Sequence, residues 1–121
     1  MIANPIQTYD AGAAVGGNLF VKFSADYTVV QATAGDAAIG ISDALGGPSG
    51  GRVDVVKGGR TQLKVGDTVD PGEFLKSDDD GAGVPADTDG DRYGAIAEQA
   101  GVDGDIIDVI VVYGTMSIPG E

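Results

Sequence analysis

The sequence predicts an all-β fold, a small compact β-barrel or sandwich built by internal duplication. Three observations carry this. Glycine fills 21 of 121 positions, a composition that helices tolerate poorly. Apolar residues alternate or form short β-branched runs bounded by Gly, Asp and Pro. The chain also repeats itself: displaced by 54 residues, 12–55 falls on 66–109 without a gap. The match gives 12 identities in 44 positions, where this composition yields about four by chance. Gly12 meets Gly66, Phe20 meets Phe74, Lys22 meets Lys76, Gly40 meets Gly94 and Asp54 meets Asp108. One duplicated unit with a pseudo-two-fold relation follows, since two copies are too few for a solenoid.

The strands are read in chain order. Ile6–Tyr9, Leu19–Phe23, Thr28–Ala32, Ala38–Ser42, Arg52–Lys57 and Arg60–Val65 come first. Phe74–Ser77, Gly83–Ala86, Tyr93–Ala97 and Ile106–Tyr113 belong to the second copy. Gly58-Gly59 reads as a hairpin turn between two strands. Asp80-Gly81, Asp89-Gly90 and Asp103-Gly104 read as further turns. A short helix is expected near Glu98–Ala100, with a counterpart near Asp43–Leu45. Residues 1–9 and 115–121 flank the duplication and read as arms on a single domain whose duplicated core spans 10–114.

The last strand differs between the copies. In Arg52–Gly58 one face carries Val53 and Val55, and the other is mixed. In the second copy both faces are apolar, the outer one through Ile106, Ile110 and Val112. Such a strand must be covered on both sides. The cover is either another part of the chain or a neighbouring subunit, with Ile106, Ile110 and Val112 as the interface.

Charge and composition exclude several functions. The net charge is −12, which disfavours nucleic-acid backbones and anionic membranes as partners. The start of the chain has neither a basic nor an apolar leader region, and no apolar run approaches membrane-spanning length. With no His and no Cys, the usual triads and thiolate metal sites are absent. No cofactor, metal site or catalytic set is expected. Lys76 and Ser77 are neighbours on a strand and point to opposite faces, so they cannot share a proton. Asp87, Asp89, Asp91 and Glu98 fall at calcium-loop positions, but Arg92 stands where that loop needs Gly. An acidic solvated loop over 78–91 is the plain reading, with weak cation binding left open. The Gly66-Asp67…Gly72…Leu75 turn echoes biotinyl and lipoyl carrier domains, although no carrier lysine motif accompanies it.

Taken as an ordered set, these segments resemble a known family. They are Asn4-Pro5-Ile6-Gln7-Thr8-Tyr9, Ala11-Gly12-Ala13, Leu19–Phe23, Ile39–Asp43, Gly51–Val55, the Gly66–Leu75 turn and Gly104–Val109. The chain is similar to the small capsid cement, or head-decoration, proteins of tailed bacteriophages. The resemblance implies a non-enzymatic structural virion protein, made in the host cytoplasm. It would sit on the outer capsid surface as a homotrimer and clamp neighbouring major capsid proteins. Ile2, Pro5, Ile6 and Tyr9 are then candidate capsid contacts through the N-terminal arm. Arg52, Lys57, Arg60 and Lys64 are candidate polar contacts. The alternative is a non-viral binding or carrier module of the biotinyl or lipoyl kind.

Overall fold

Alternation along Arg52–Val56 places Val53 and Val55 on one side of a strand and Arg52, Asp54 and Val56 on the other. The computed structural model, which describes residues 6–36, 38–88 and 90–116, turns that alternation into a closed surface. Among the described residues it holds ten strands and no helix. They are β1 (Ile6–Ala11), β2 (Phe20–Ala25), β3 (Thr28–Gln31), β4 (Gly40–Ser42) and β5 (Arg52–Val56). In the second half come β6 (Gly59–Lys64), β7 (Phe74–Ser77), β8 (Gly83–Pro85), β9 (Arg92–Ala97) and β10 (Ile106–Thr115). The first five close into a barrel in the order β1-β3-β2-β4-β5, and the second five form a sheet ordered β6-β10-β9-β7-β8, whose two ends meet only at the isolated Val65–Gly83 bridge, so that it curls into an incompletely closed second barrel.

The two orders are the same order. Adding 54 turns β1, β2, β3 and β5 into β6, β7, β8 and β10, and their ladders repeat in register: Ile6 pairs with Val56 as Arg60 pairs with Ile110. Val21 pairs with Gln31 as Leu75 pairs with Pro85. The Val15–Gly47 bridge returns as Val69–Gly101. The expected duplication is therefore present, and it is larger than 12–55 and 66–109. Residues 6–9, expected within an arm, form the first part of β1 and pair along β5. Residues 1–5 and 117–121 lie outside the described residues, and Thr115 is the last residue of β10.

The repeat is not gapless. Phe20 faces Ile41 on β4, whereas Phe74 faces Ile96 on β9. Ile41 faces Val56, whereas Ile96 faces Ile110. Over this stretch the offset is 55, so the partner of Gly40 is Ala95 and not Gly94. A shared ion pair marks where the offset changes. Lys22 Nζ lies 2.8 Å from Asp36 Oδ2, and Lys76 Nζ lies 2.9 Å from Asp91 Oδ2. Thr33 and Thr88 donate backbone N–H groups to the same two carboxylate oxygens, at 2.8 and 3.0 Å. Thr33-x-Gly35-Asp36 thus recurs as Thr88-x-Gly90-Asp91.

These bonds favour the charged carboxylate. Lys22 first and then Thr33 hold Asp36 down from 3.8 to about 2, and Lys76 first lowers Asp91. A depressed carboxylate stabilises the fold above its unfolded pKa and loses that contribution as pH falls through the folded value. The contribution of Asp36 is full above about pH 4 and fades towards about pH 2, on the order of 1 kcal/mol after solvent screening. Measured against pH, the stability difference between the wild type and Asp36→Asn should shrink across that interval. A difference independent of pH would contradict the assignment.

Three local expectations change. No helix forms at Asp43–Leu45, because Asp43 Oδ1 accepts from the backbone N–H of Leu45 and Gly46 (3.1 and 3.2 Å) and holds a turn. None forms at Glu98–Ala100, where the Glu98 N–H donates instead to the Asp108 carbonyl at 2.9 Å. Gly58-Gly59 is not a hairpin, since β5 and β6 belong to different sheets. With φ of 75° at Gly59, the pair redirects the chain from one barrel into the next. The expected turns at Asp80-Gly81 and Asp103-Gly104 hold, with positive φ at Gly81 and Gly104; Gly90 also has positive φ, and Asp89 lies outside the described residues.

Candidate functional site

A five-stranded barrel of this size has room inside for one layer of Val, Leu and Ala, so its inner face is spoken for. Tyr9, Ala11, Val15, Val21, Val29, Val53 and Val55 fill the first barrel. Leu63, Val65, Val69, Leu75, Ala95, Ala97, Ile107, Val109 and Val111 are buried in the second. Anything the chain recognises must be recognised by the outer faces.

The outer face of the first barrel is partly used within the chain. Phe20, Ile41 and Val56 form one cross-strand row pointing outward, yet they are 0%, 0% and 5% exposed. They join the second barrel's core. A Cβ on Gly94 would stand 2.8 Å from the Phe20 ring. Backbone groups complete the seam. The Asp10 N–H closes the first barrel by donating to the Tyr27 carbonyl at 2.9 Å. The matching Lys64 N–H donates instead to Asn18, and Gly81, the counterpart of Tyr27, accepts from Phe20, each at 2.8 Å. The stretch 18–20 of the first barrel is thus wedged into the second, which is closed there only by the single Val65–Gly83 bridge. Tyr113 adds a further tie. Its hydroxyl donates to the Ile39 carbonyl at 2.6 Å and lies 3.0 Å from the Lys57 carbonyl oxygen. Burial, and to a lesser degree the neighbouring Tyr9, pushes its pKa up to about 12.

The candidate contact residues scatter over this surface. Ile6 is 56% exposed at the end of β1. Tyr9, a candidate for capsid contact, is only 6% exposed. Its ring meets Phe23 edge-on at 5.3 Å and its hydroxyl accepts from Lys57 Nζ at 2.8 Å. It points into the barrel because residues 6–11 are a strand, and little of it is left for a partner. Arg52 stands on the outer face of β5 beside Asp10, 3.9 Å away. Arg60 is held by Glu98 at 2.6 Å. Lys64 lies on β6 directly across from Ile106. Arg60 and Lys64 therefore share a face with Ile106 and Ile110, while Arg52 and Ile6 share the corresponding face of the first barrel. Ile2 and Pro5 lie outside the described residues.

Among the described residues, nothing covers the outer face of β10. Ile106 is 51% and Ile110 37% exposed, and Val112 is half-buried at the irregularity in the β9–β10 ladder. Of the two covers open to this strand, burial by another part of the chain is the one the described residues do not supply. Two residues of this face escaped the sequence reading, Ile96 and Phe74. Together with Ile110 they form the row that matches Val56, Ile41 and Phe20. The Phe20–Phe74 identity was the available signal, but the false Gly40–Gly94 match hid the Ile41–Ile96 pairing.

The chemistry-bearing candidates are engaged elsewhere. Lys76 is ion-paired on β7, away from any hairpin tip, which removes the feature a carrier lysine needs. Ser77 is buried and bonds the Asp78 carbonyl. Of the calcium-loop candidates, Asp91 is bound to Lys76 and Glu98 to Arg60, while Asp89 lies outside the described residues. No group of three acidic side chains among the described residues is arranged to hold a metal ion. A cleft of about 610 Å³ opens at the β2–β3 hairpin, lined by Tyr9, Phe23, Ala25, Asp26 and Tyr27.

No protein-family model and no curated protein matches the chain. Among solved structures it is similar to the N base of the head fibre gp8.5 of bacteriophage phi29. The identity is 16% and the TM-score 0.72, over 91% of this chain and 95% of that one. The two chains share one fold over that length.

Proposed function

We propose that this chain is a structural virion protein that binds the outer surface of a phage head as a trimer and holds neighbouring major capsid proteins together. The observation that carries the reading is the fold it shares, over 91% of its length, with the base of a phage head fibre. The residues agree with it. Both interiors are filled, and Lys76, Ser77, Asp91 and Glu98 are engaged within the fold. The acidic surface suits a position facing away from packaged DNA.

The mechanism is multivalent. Each copy contributes a modest contact, and linked copies raise the effective concentration of the next contact. Ile2, Pro5, Ile6, Arg52 and Lys64 remain the contact candidates. Tyr9 serves the barrel, and Lys57 and Arg60 are engaged by Tyr9 and Glu98. Residues 1–5, ahead of β1, can add to a capsid strand through main-chain hydrogen bonds.

Cosedimentation with phage heads that lack this protein tests the reading. The full chain should pellet with heads. Removing residues 1–5 should reduce binding at least tenfold while leaving the circular dichroism spectrum unchanged. Full-strength binding by the shortened chain would overturn the arm assignment, and no binding by the full chain would overturn the function.

A further inference from the structure

The duplication supplies an internal control for the cleft at the β2–β3 hairpin. Its rings, Tyr9, Phe23 and Tyr27, are three of the seven aromatic residues in the chain. In the second half the same positions hold Leu63, Ser77 and Gly81. A sheet of the same strand order therefore forms without any of the three rings. Tyr27 is the hardest to explain by folding. Its φ is 53°, where Gly81 has 84°, and a bulky side chain is strained in that region. Burial does not offset the strain, since Tyr27 is 77% exposed. Its side chain makes no hydrogen bond or ring contact among the described residues. Beside it, the rings of Tyr9 and Phe23 meet at 88° and form two walls at a right angle. The exposed carboxylate of Asp26, also on the cleft, has neither an ion pair nor a hydrogen bond among the described residues.

We propose that this cleft holds a cationic side chain, an arginine presented by a neighbouring protein. Perpendicular aromatic walls and an unpaired carboxylate are the parts of an aromatic cage. The ring faces attract a cation, and the carboxylate accepts charge-assisted hydrogen bonds from it. A guanidinium suits both, because it stacks flat on a ring and bonds a carboxylate in the same plane. Charge points to the same occupant. A chain of net charge −12 disfavours an anionic ligand and draws a basic one. The cluster already seats one cation: Lys57 Nζ lies 5.5 Å from the Tyr9 ring centre and donates to its hydroxyl at 2.8 Å. Lys57 is held at that hydroxyl, and Arg52 lines a neighbouring groove beside Asp10. Phe23, Tyr27 and Asp26 are left for the incoming group. The inference goes beyond the proposed function, since it names the chemistry of a partner group and rests on the residues of the cleft alone.

Nuclear magnetic resonance titration of the full chain tests it. The probe is N-acetyl-arginine amide, and N-acetyl-citrulline amide is its neutral isostere. The arginine probe should shift the resonances of Phe23, Asp26 and Tyr27 saturably, and bind about two- to fivefold more tightly than the citrulline probe. Asp26→Asn should remove that preference. Tyr27→Gly should weaken the arginine probe by a similar factor. The same variant should keep or raise the urea midpoint, because it relieves the backbone, whereas loss of a ring needed for folding would lower it. Equal binding of the two probes, a response confined to other residues, or a Tyr27→Gly midpoint well below the wild type would overturn the proposal. So would N-acetylglucosamine shifting these resonances where the arginine probe does not, which would make the cleft a sugar site. A chain that binds the arginine probe and does not pellet with phage heads would sink the proposed function and leave this inference standing. A chain that pellets with heads and binds neither probe would do the reverse.

Discussion

Replacing Phe20 with alanine is expected to destabilise the chain by about 3–5 kcal/mol, and replacing Phe74 by about 1 kcal/mol. The two residues occupy the same position of the repeat. Phe20 is fully buried between the barrels, packed over Gly94 and joined to Ile41, Val56 and the second core. Its removal opens a cavity at the place where the halves are held together, and the wedge at 18–20 loses its anchor. Phe74 is half-buried and makes one edge-on contact with Tyr93, at 4.5 Å between ring centres. Its removal forfeits that contact and little else in the single chain. Urea titrations at a dilution where the chain is monomeric should give a much lower midpoint for Phe20→Ala and a nearly native one for Phe74→Ala. Equal losses would mean that the barrels do not lean on this row.

That contrast also marks how far the residues alone could lead. The all-β class, all ten strands to within a few residues and the repeat itself were legible. Each rests on short-range signals: alternation, β-branched runs and Asp-Gly turns. The two-faced strand at Ile106–Val112 was legible for the same reason, and so was the need for something to cover it. What stayed hidden depends on how one barrel meets the other. Phe20 and Phe74 are identical residues in equivalent strands, and nothing local says that one is buried and the other is not. Tyr9 looked available because residues 1–9 fall outside the best-matching stretch. Its structural counterpart is Leu63, a core residue with no sequence likeness to it. Gly58-Gly59 looked like a hairpin because a tight turn and a barrel-to-barrel crossing demand the same backbone freedom. The comparison with the phage head-fibre base covers the fold, whereas the contact residues rest on the arrangement of this chain's own side chains.

The offset within the repeat has its own consequence at Gly40. A gapless match pairs Gly40 with Gly94 and gives both the same reason to be glycine. The ladders pair Gly40 with Ala95 instead, and the reasons separate. At Gly40 an added Cβ would point into the first barrel, against a Val55 methyl and 2.6 Å from the Val56 carbonyl oxygen. A backbone carbonyl in a closed barrel cannot step aside as a side chain can, so Gly40→Ala should cost about 2–3 kcal/mol. At Gly94 the added Cβ meets the Phe20 ring from outside, 2.8 Å away, so the damage falls on the contact between barrels. Two measurements separate these. Gly94→Ala should lose much of its effect in a Phe20→Ala background, because the obstructing ring is gone, while Gly40→Ala should cost the same in both backgrounds. The reciprocal change, Ala95→Gly, should cost only about 1 kcal/mol, as expected for loosening a strand and removing one methyl. If Gly40→Ala and Gly94→Ala respond alike to the loss of Phe20, the 55-residue offset is wrong, and the match between the two outward rows goes with it.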